Sequence, residues 1–149
     1  MLRSATAAVL CTLCFAAPAS AEADADNAIK YRQQLYKVLG ASITGIAMNL
    51  KQEVTFPGDV PAFADSIALT LPHIKAATEQ NTAGQGSATT KAKPAIWSDW
   101  GTFEELADEA VAASAKLQEA AASGDMAAVG QATQTMGAAC KACHDKFRE

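Results

Sequence analysis

Residues 125–148 read DMAAVGQATQTMGAACKACHDKFR, a stretch that combines an apolar stripe with a Cys-x-x-Cys-His motif. The stripe side chains recur at alternating spacings of three and four residues, the period of one buried face of an α-helix. The stripe consists of Met126, Val129, Thr133, Met136, Cys140, Cys143 and Phe147. The pattern therefore predicts a C-terminal helix whose buried face includes both thiols.

The motif formed by Cys140, Cys143 and His144 is typical of covalent c-type haem attachment. Residues three apart lie on one face of a helix, so both thiols can reach the same porphyrin edge. They would add to the two vinyl groups of one haem, and His144 would be an axial ligand of its iron. The motif thus predicts one covalently bound haem c per chain. The alternative is a buried thiol pair followed by an incidental histidine.

The first residues have the pattern of a secretory signal peptide. Arg3 supplies positive charge, residues 5–17 are apolar, and the segment that ends at Ala21 fits an A-x-A cleavage pattern. The apolar run is too short to span a membrane comfortably. We therefore expect residues 1–21 to be removed and residues 22–149 to form a single periplasmic domain without a membrane span.

Removal of the signal peptide would change the cysteine count and the charge. Cys11 and Cys14 also form a Cys-x-x-Cys pair, but they lie in the signal peptide and no histidine follows them. Loss of Arg3 takes the count of Lys and Arg from 12 to 11 against 16 Asp and Glu, so the formal charge moves from −4 to −5. An acidic chain without a basic stripe argues against nucleic acid and anionic membrane surfaces as partners.

The remaining periodicity predicts three further helices, at about residues 26–51, at about residues 61–78, and from residue 98 or 102 onward. The first helix has an apolar stripe close to a heptad repeat, made of Ile29, Tyr36, Leu39, Ile43, Ile46 and Leu50. Strand signals are few, and short connections between helices favour antiparallel neighbours. The sequence therefore predicts an all-α, up-down-up-down four-helix bundle with a cofactor in its core.

Local signals predict where some of these helices begin and end. Thr102 and Glu105 fit a capping box at the start of the third helix. Gly124 is expected to end that helix, and Asp125 to cap the start of the fourth. Residues 80–95 are polar and form the longest loop, which in a compact domain is often flexible or functional.

Arg32 interrupts the apolar stripe of the first helix one turn before Tyr36. Two explanations are open at this point. The arginine could extend its charge to solvent from the end of the bundle, or its guanidinium could pair with a haem propionate inside the bundle.

Two glycines lie on the same row of the fourth helix as His144, namely Gly130 and Gly137. Each costs up to about 1 kcal/mol of helix stability relative to Ala. Either close packing against another helix or a flat group lying on the helix would give them a use.

Taken together, these features resemble the class II c-type cytochromes and, within them, the cytochrome c′ family. The resemblance covers essentially the whole mature chain. Its most specific motif is residues 140–148 on the last helix, and weaker similarities are Lys-Tyr-Arg-Gln at residues 30–33 and Pro-Ala-Ile-Trp-Ser-Asp at residues 94–99. It implies that the two cysteines hold haem by thioethers and that His144 is the proximal iron ligand.

The resemblance also implies roles for residues outside the motif. Arg32, with Gln33 beside it, looks like the arginine near a haem propionate, and Arg148 resembles the basic residue near the proximal histidine. Tyr36 stands where low-spin relatives have a methionine as the sixth iron ligand. In cytochromes c′ this position holds a bulky residue that does not ligate, so the resemblance implies that Tyr36 covers the distal face.

No other side chain is well placed to replace that methionine. Met126 and Met136 share the helix of the motif, and Met48 lies about 18 Å beyond Tyr36 along a helix that rises 1.5 Å per residue. His73 is expected at the surface. We therefore expect five-coordinate iron.

These interpretations predict a haem protein, not an enzyme, that transfers single electrons, binds small gases such as NO or CO, or does both. The alternative is a six-coordinate, low-spin electron carrier with an unidentified distal ligand. A third hypothesis is a haem-free dithiol enzyme or zinc module. It is disfavoured because the chain has no βαβ pattern near the motif, and its mature part has only two Cys and two His for a zinc site.

The sequence does not predict which periplasmic redox partner the protein uses. The resemblance implies that a homodimer can form, because cytochromes c′ are often dimers through their first two helices. Ala47, Val54 and Phe56 would contribute apolar surface to such an interface.

Overall fold

The computed structural model describes residues 19–149, and every regular element in that part of the chain is a helix, apart from an isolated bridge between Ala92 and Arg148. The helices are α1 (Ala19–Leu50), α2 (Val60–Thr70), α3 (His73–Ala76), α4 (Ala95–Ser98), α5 (Trp100–Ser123) and α6 (Met126–Phe147). A 3-10 turn at Pro57–Asp59 precedes α2. Residues 1–18, with Cys11, Cys14 and most of the predicted signal peptide, lie outside the described residues. None of the described helices is long and apolar enough to cross a membrane.

The four longer stretches of helix form a bundle, which confirms the predicted fold. Helix α1 packs on α2, α2 packs on α5, and α5 packs on α6, while α1 and α6 touch more sparsely. Leu50 at the end of α1 lies 3.8 Å from the Cβ position of Gly130 near the start of α6. The end of α1 therefore lies beside the start of α6, as expected for two antiparallel helices.

Large apolar side chains from all four helices close the core of the bundle. The fully buried ones include Ile46, Ile67, Phe103, Leu117, Val129 and Met136. Burial of one such side chain stabilises the fold by about 1.5–3 kcal/mol. Phe103 and Phe147 meet edge to face with ring centroids 5.6 Å apart, so the end of α6 is fastened to the start of α5.

Two boundary predictions are wrong for local reasons. The second predicted helix is divided into α2 and α3 at Pro72, whose nitrogen has no hydrogen to donate to the preceding turn. The third begins at Trp100, between the two predicted starts, but Thr102 lies inside its first turn, so the capping-box prediction fails. Asp99 takes the N-cap position instead, and its carboxylate pairs with Lys146 of α6 at 2.7 Å.

The junction between α5 and α6 is as predicted. Gly124 has a left-handed backbone with φ of 73° and ends α5. The carboxylate of Asp125 then accepts hydrogen bonds from the backbone nitrogens of Ala127 at 2.8 Å and Ala128 at 3.3 Å. These bonds satisfy two of the free N–H groups at the start of α6.

The long polar loop is tied to α1, and we call its residues 79–94 the strap. The carboxylate of Asp26 accepts hydrogen bonds from the backbone nitrogen of Ser87 at 2.7 Å, from its hydroxyl at 2.8 Å, and from the nitrogen of Ala88 at 2.8 Å. The hydrogen bonds from Ala88 and Ser87 lower the pKa of Asp26. The ionised carboxylate is therefore the form that holds the strap.

Further contacts fasten the rest of the strap to the bundle. The side-chain amide of Gln33 donates to the carbonyl of Thr89 at 2.8 Å. The backbone nitrogen of Lys93 donates to the carbonyl of Phe147 at 2.9 Å. The strap thus lies across the ends of α1 and α6, beside the predicted haem motif.

Substitution of Gly86 by Ala should destabilise the protein more than the same change at Gly84. Both glycines have positive φ, 73° and 68°, so alanine is strained at either position by about 1–2 kcal/mol. A Cβ at Gly86 would also collide with the carboxylate of Asp26, whereas nothing lies within 4 Å of a Cβ at Gly84. Urea unfolding of the two variants measures the difference, and equal losses would show that Asp26 does not hold the strap as described.

Candidate functional site

Helix α6 turns the motif toward the inside of the bundle. Val129, Met136 and Phe147 on its stripe are buried, and they fix the rotation of the helix. Cys140 and Cys143 lie on the same stripe between Met136 and Phe147, and they pack against the core while staying half-buried. The prediction that both thiols belong to the inner face is therefore confirmed.

Helix α1 presents a matching surface to α6. Its stripe is buried near both ends, at Ile29 and Ile46, which are 1% and 0% exposed. Between them Leu35, Leu39 and Ile43 are only half-buried. We infer an apolar cleft between α1 and α6 beside the thiols, because these side chains of α1 stay partly exposed and the nearby Tyr36 is close enough to be affected by Cys140 and Cys143.

Tyr36 lies in this cleft opposite the motif. Its side chain is 42% exposed, yet burial, followed by the neighbouring thiol of Cys143, raises the pKa of Tyr36 to about 12. The phenol is therefore close to the thiols and partly screened from water by the chain around it. The phenol is neutral at physiological pH and therefore a weak iron ligand.

The thiols are not tuned for dithiol chemistry. Burial raises the pKa of Cys140, and burial together with Cys140 raises the pKa of Cys143. Reactive thiols of oxidoreductases have lowered pKa values, because the thiolate is the nucleophile. The two cysteines are also not joined by a disulfide. The raised pKa values of the two thiols argue against the dithiol-enzyme hypothesis.

His144 is half-buried on the turn that follows Cys143. Burial, followed by the charge of Arg148, lowers the pKa of His144, while Asp145 opposes the shift. The imidazole is therefore neutral at pH 7, the form that binds metals. Within the described residues, no group of three or more His, Cys, Asp and Glu side chains could hold a metal ion, so a zinc module gains no support there.

Arg32 is the unusual residue of the site because it is only 4% exposed. The explanation that it extends to solvent is therefore wrong. Its Nη2 donates to the hydroxyl of Thr82 at 2.6 Å, and its Cζ lies 5.5 Å from the ring centroid of Trp97. Its Nη1 is buried without any partner in the described part of the chain. Such an arginine is suited to pair with an anion that enters the cleft.

The other predicted site residues have different surroundings. The side-chain amide of Gln33 is used by the strap, so its role toward haem stays a prediction. The backbone nitrogen of Arg148 donates to the carbonyl of His144 at 3.0 Å, and its side chain is close enough to affect that imidazole. His73 is exposed, as predicted. Nothing lies within 4 Å of a Cβ at Gly137, so close helix packing does not explain that glycine.

Sequence reasoning missed Thr82 and gave Trp97 no role. Thr82 is 2% exposed although it belongs to a polar, glycine-rich loop. Its partner Arg32 is 50 residues earlier in the chain, and no periodic pattern connects the two. Trp97 is held by a hydrogen bond from its indole nitrogen to the carbonyl of Thr78 at 2.9 Å.

The cleft fits the haem that the motif predicts. Two thiols one turn apart and a neutral imidazole provide the attachment and ligation chemistry. The apolar side chains of α1 suit a flat aromatic group, and the unpaired nitrogen of Arg32 suits one of its carboxylates. Tyr36 of α1 is close enough to both thiols of α6 to be affected by them, so the two helices bring these groups together.

Comparison with known proteins gives consistent results across the chain. A family model for cytochrome c′ matches residues 27–148. A cytochrome c′ from Rhodospirillum rubrum is 33% identical over 126 residues, which cover 85% of this chain and 84% of that protein.

Solved structures agree with this result. A cytochrome c′ described as having ligand-controlled dimer dissociation aligns with a TM-score of 0.77 and 32% identity, over 83% of this chain and 95% of its own. A nitric oxide complex of a cytochrome c′ variant from Alcaligenes xylosoxidans aligns with a TM-score of 0.74 and 26% identity, over 84% of this chain and 96% of its own.

Proposed function

The chain belongs to the cytochrome c′ family, and we propose that it is a periplasmic protein that transfers single electrons and binds small neutral gases at a five-coordinate haem iron. Members of this family bind haem c covalently. The observation that supports the proposal most is that Tyr36, rather than a sulfur or imidazole ligand, lies opposite the motif in the cleft. The predicted signal peptide, residues 1–21, is the basis for the periplasmic location.

The motif residues would each take one part of haem binding. Cys140 and Cys143 would form the thioethers, because both face the cleft and lie one helical turn apart. His144 would be the axial ligand, since its neutral imidazole follows directly in the chain. When bound, haem supplies reversible one-electron chemistry at iron and a coordination position on each face.

The opposite face would be covered by Tyr36 with Leu35 and Leu39 nearby. A neutral phenol with a pKa of about 12 does not compete well for iron, and aliphatic neighbours favour small neutral molecules such as NO and CO. The relative from Alcaligenes xylosoxidans was solved as a nitric oxide complex, in agreement with this role. Because such a phenol is also a poor proton donor at neutral pH, we propose electron transfer and gas binding rather than enzymatic catalysis.

A homodimer is the proposed assembly. Large apolar side chains are exposed on α1, α2 and the turn between them, among them Val38, Met48, Phe56 and Leu69. Ala47 and Val54 are half-buried, so Phe56 contributes most of the apolar surface predicted for the interface. Sedimentation equilibrium should show dimers at micromolar concentration, and a weight-average mass of one chain throughout would reject this assembly.

Substitution of either cysteine should remove one thioether. With Cys140→Ala or Cys143→Ala, the pyridine haemochrome band should move to longer wavelength than in the wild type, because one vinyl group stays unsaturated. With both changes, haem should be extracted by acidified organic solvent. Lys141→Ala is a suitable control, since that side chain lies between the cysteines and is 73% exposed. Unchanged haemochrome spectra in all variants would contradict the assigned attachment.

Substitution of Tyr36 by Met should place a thioether ligand over the open axial position. We expect a low-spin visible spectrum and at least tenfold slower CO binding by the reduced protein, because methionine ligates haem iron and must leave first. Val38→Met is the matched control, since Val38 is 43% exposed on the same helix but two residues away on a different face. A low-spin wild type with slow CO binding would instead favour the six-coordinate electron carrier.

A further inference from the structure

Arg32 and Thr82 form a buried pair of hydrogen-bond donors with unused capacity. They are 4% and 2% exposed, and Nη2 of Arg32 donates to the Thr82 hydroxyl at 2.6 Å. Since that oxygen accepts from the guanidinium, its own proton needs an acceptor elsewhere. Within the described residues, no hydrogen bond donated by the Thr82 hydroxyl is found, and Nη1 of Arg32 also lacks a partner.

The surroundings supply no anion for these donors. The ion pairs found in the described part of the chain involve lysines only, and none includes Arg32. Tyr36 is the titratable neighbour that affects the pKa of Arg32, and it is neutral. A buried cation whose N–H groups stay unpaired is rare in folded proteins. Two unpaired donors side by side therefore indicate an acceptor of opposite charge.

We propose that Thr82 binds the same carboxylate as Arg32, a haem propionate, so that the two side chains form one anion site. This inference rests on the proposed function, because the propionate belongs to the haem attached at Cys140 and Cys143. Arg32 would donate from Nη1 and Thr82 from its hydroxyl. The hydrogen bond between the two residues keeps both side chains in position. Thr82 lies on the strap and not on a bundle helix.

The strap holds this anion site rigid before any ligand enters. The carbonyl of Thr82 accepts a hydrogen bond from the nitrogen of Gln85 at 3.1 Å, and Asp26 holds the following turn. Trp97 also contacts the guanidinium, with its ring centroid 5.5 Å from Cζ of Arg32. Donors that are already fixed lose little entropy when they bind. Because both donors favour the charged form of a carboxylate, the site should hold the carboxylate in its ionised form.

The proposal predicts a change in how the reduction potential depends on pH. Donors to a carboxylate lower its pKa, and protonation of a propionate near iron raises the reduction potential. Loss of one donor should therefore move the acid-side rise in potential to higher pH. Loss of one hydrogen bond to a charged group should shift this rise by about one pH unit.

The test is potentiometric titration of the haem-loaded protein across pH, in the wild type and in Thr82→Val. Thr82→Ser keeps the hydroxyl and should return the profile to that of the wild type. Thr89→Val is the matched control, because Thr89 lies on the same strap with an exposed side chain. If Thr82→Val does not fold, Thr82→Ala, which removes the hydroxyl without a second methyl group, takes its place.

The shared anion site is supported if the acid-side rise in reduction potential moves to higher pH in Thr82→Val or Thr82→Ala. It should stay unchanged in Thr82→Ser and in the control Thr89→Val. A Val or Ala profile that superimposes on the wild type, or a Ser variant that behaves like Val, overturns the role of Thr82. The pyridine haemochrome assay separates this from the proposed function. Thioether-bound haem with an unshifted profile rejects only the anion site, whereas a wild type without thioether-bound haem rejects both.

Discussion

The structure depends on the way that α1 and α6 lie beside each other, with buried residues near both ends of the pair and half-buried apolar side chains between them. On α6 the buried residues Met136 and Phe147 flank the two thiols, so the thiols cannot turn to solvent without unpacking both ends. On α1 the buried residues Ile29 and Ile46 have the same effect on the opposite surface. Buried residues on either side of the cleft fix both helices. The side chains that line the cleft are therefore not needed for helix packing and can contact haem instead.

The strap adds a hydrogen-bond partner for Arg32, which the bundle helices do not provide. A guanidinium in an apolar cleft is costly unless its donors are paired. Asp26 and Gly86 fasten the strap to the start of α1, which brings the hydroxyl of Thr82 to Arg32. A loop that the sequence left open as either flexible or functional therefore positions the most deeply buried cation of the site.

The parts of the molecule that could be predicted from sequence are those determined by neighbours close in the chain. The stripe that includes Cys140 and Cys143 follows from helical periodicity, and Gly124 and Asp125 act through their own turns. Thr102 shows the limit of local signals, since Asp99, three residues earlier, takes the N-cap position and pairs with Lys146 of a different helix. The environment of Arg32 could not be predicted, because Thr82 reaches it across 50 residues through a loop without periodicity.

The coordination of the iron is the property on which the functional distinction rests, and in the proposed function Tyr36 decides it. Electron paramagnetic resonance of the oxidised, haem-loaded protein at neutral pH reports it directly. With Tyr36 as a neutral cover over an open axial position, the spectrum should be dominated by an axial high-spin signal. A rhombic low-spin signal that accounts for most of the iron would show a sixth ligand and contradict a gas-binding site in the cleft.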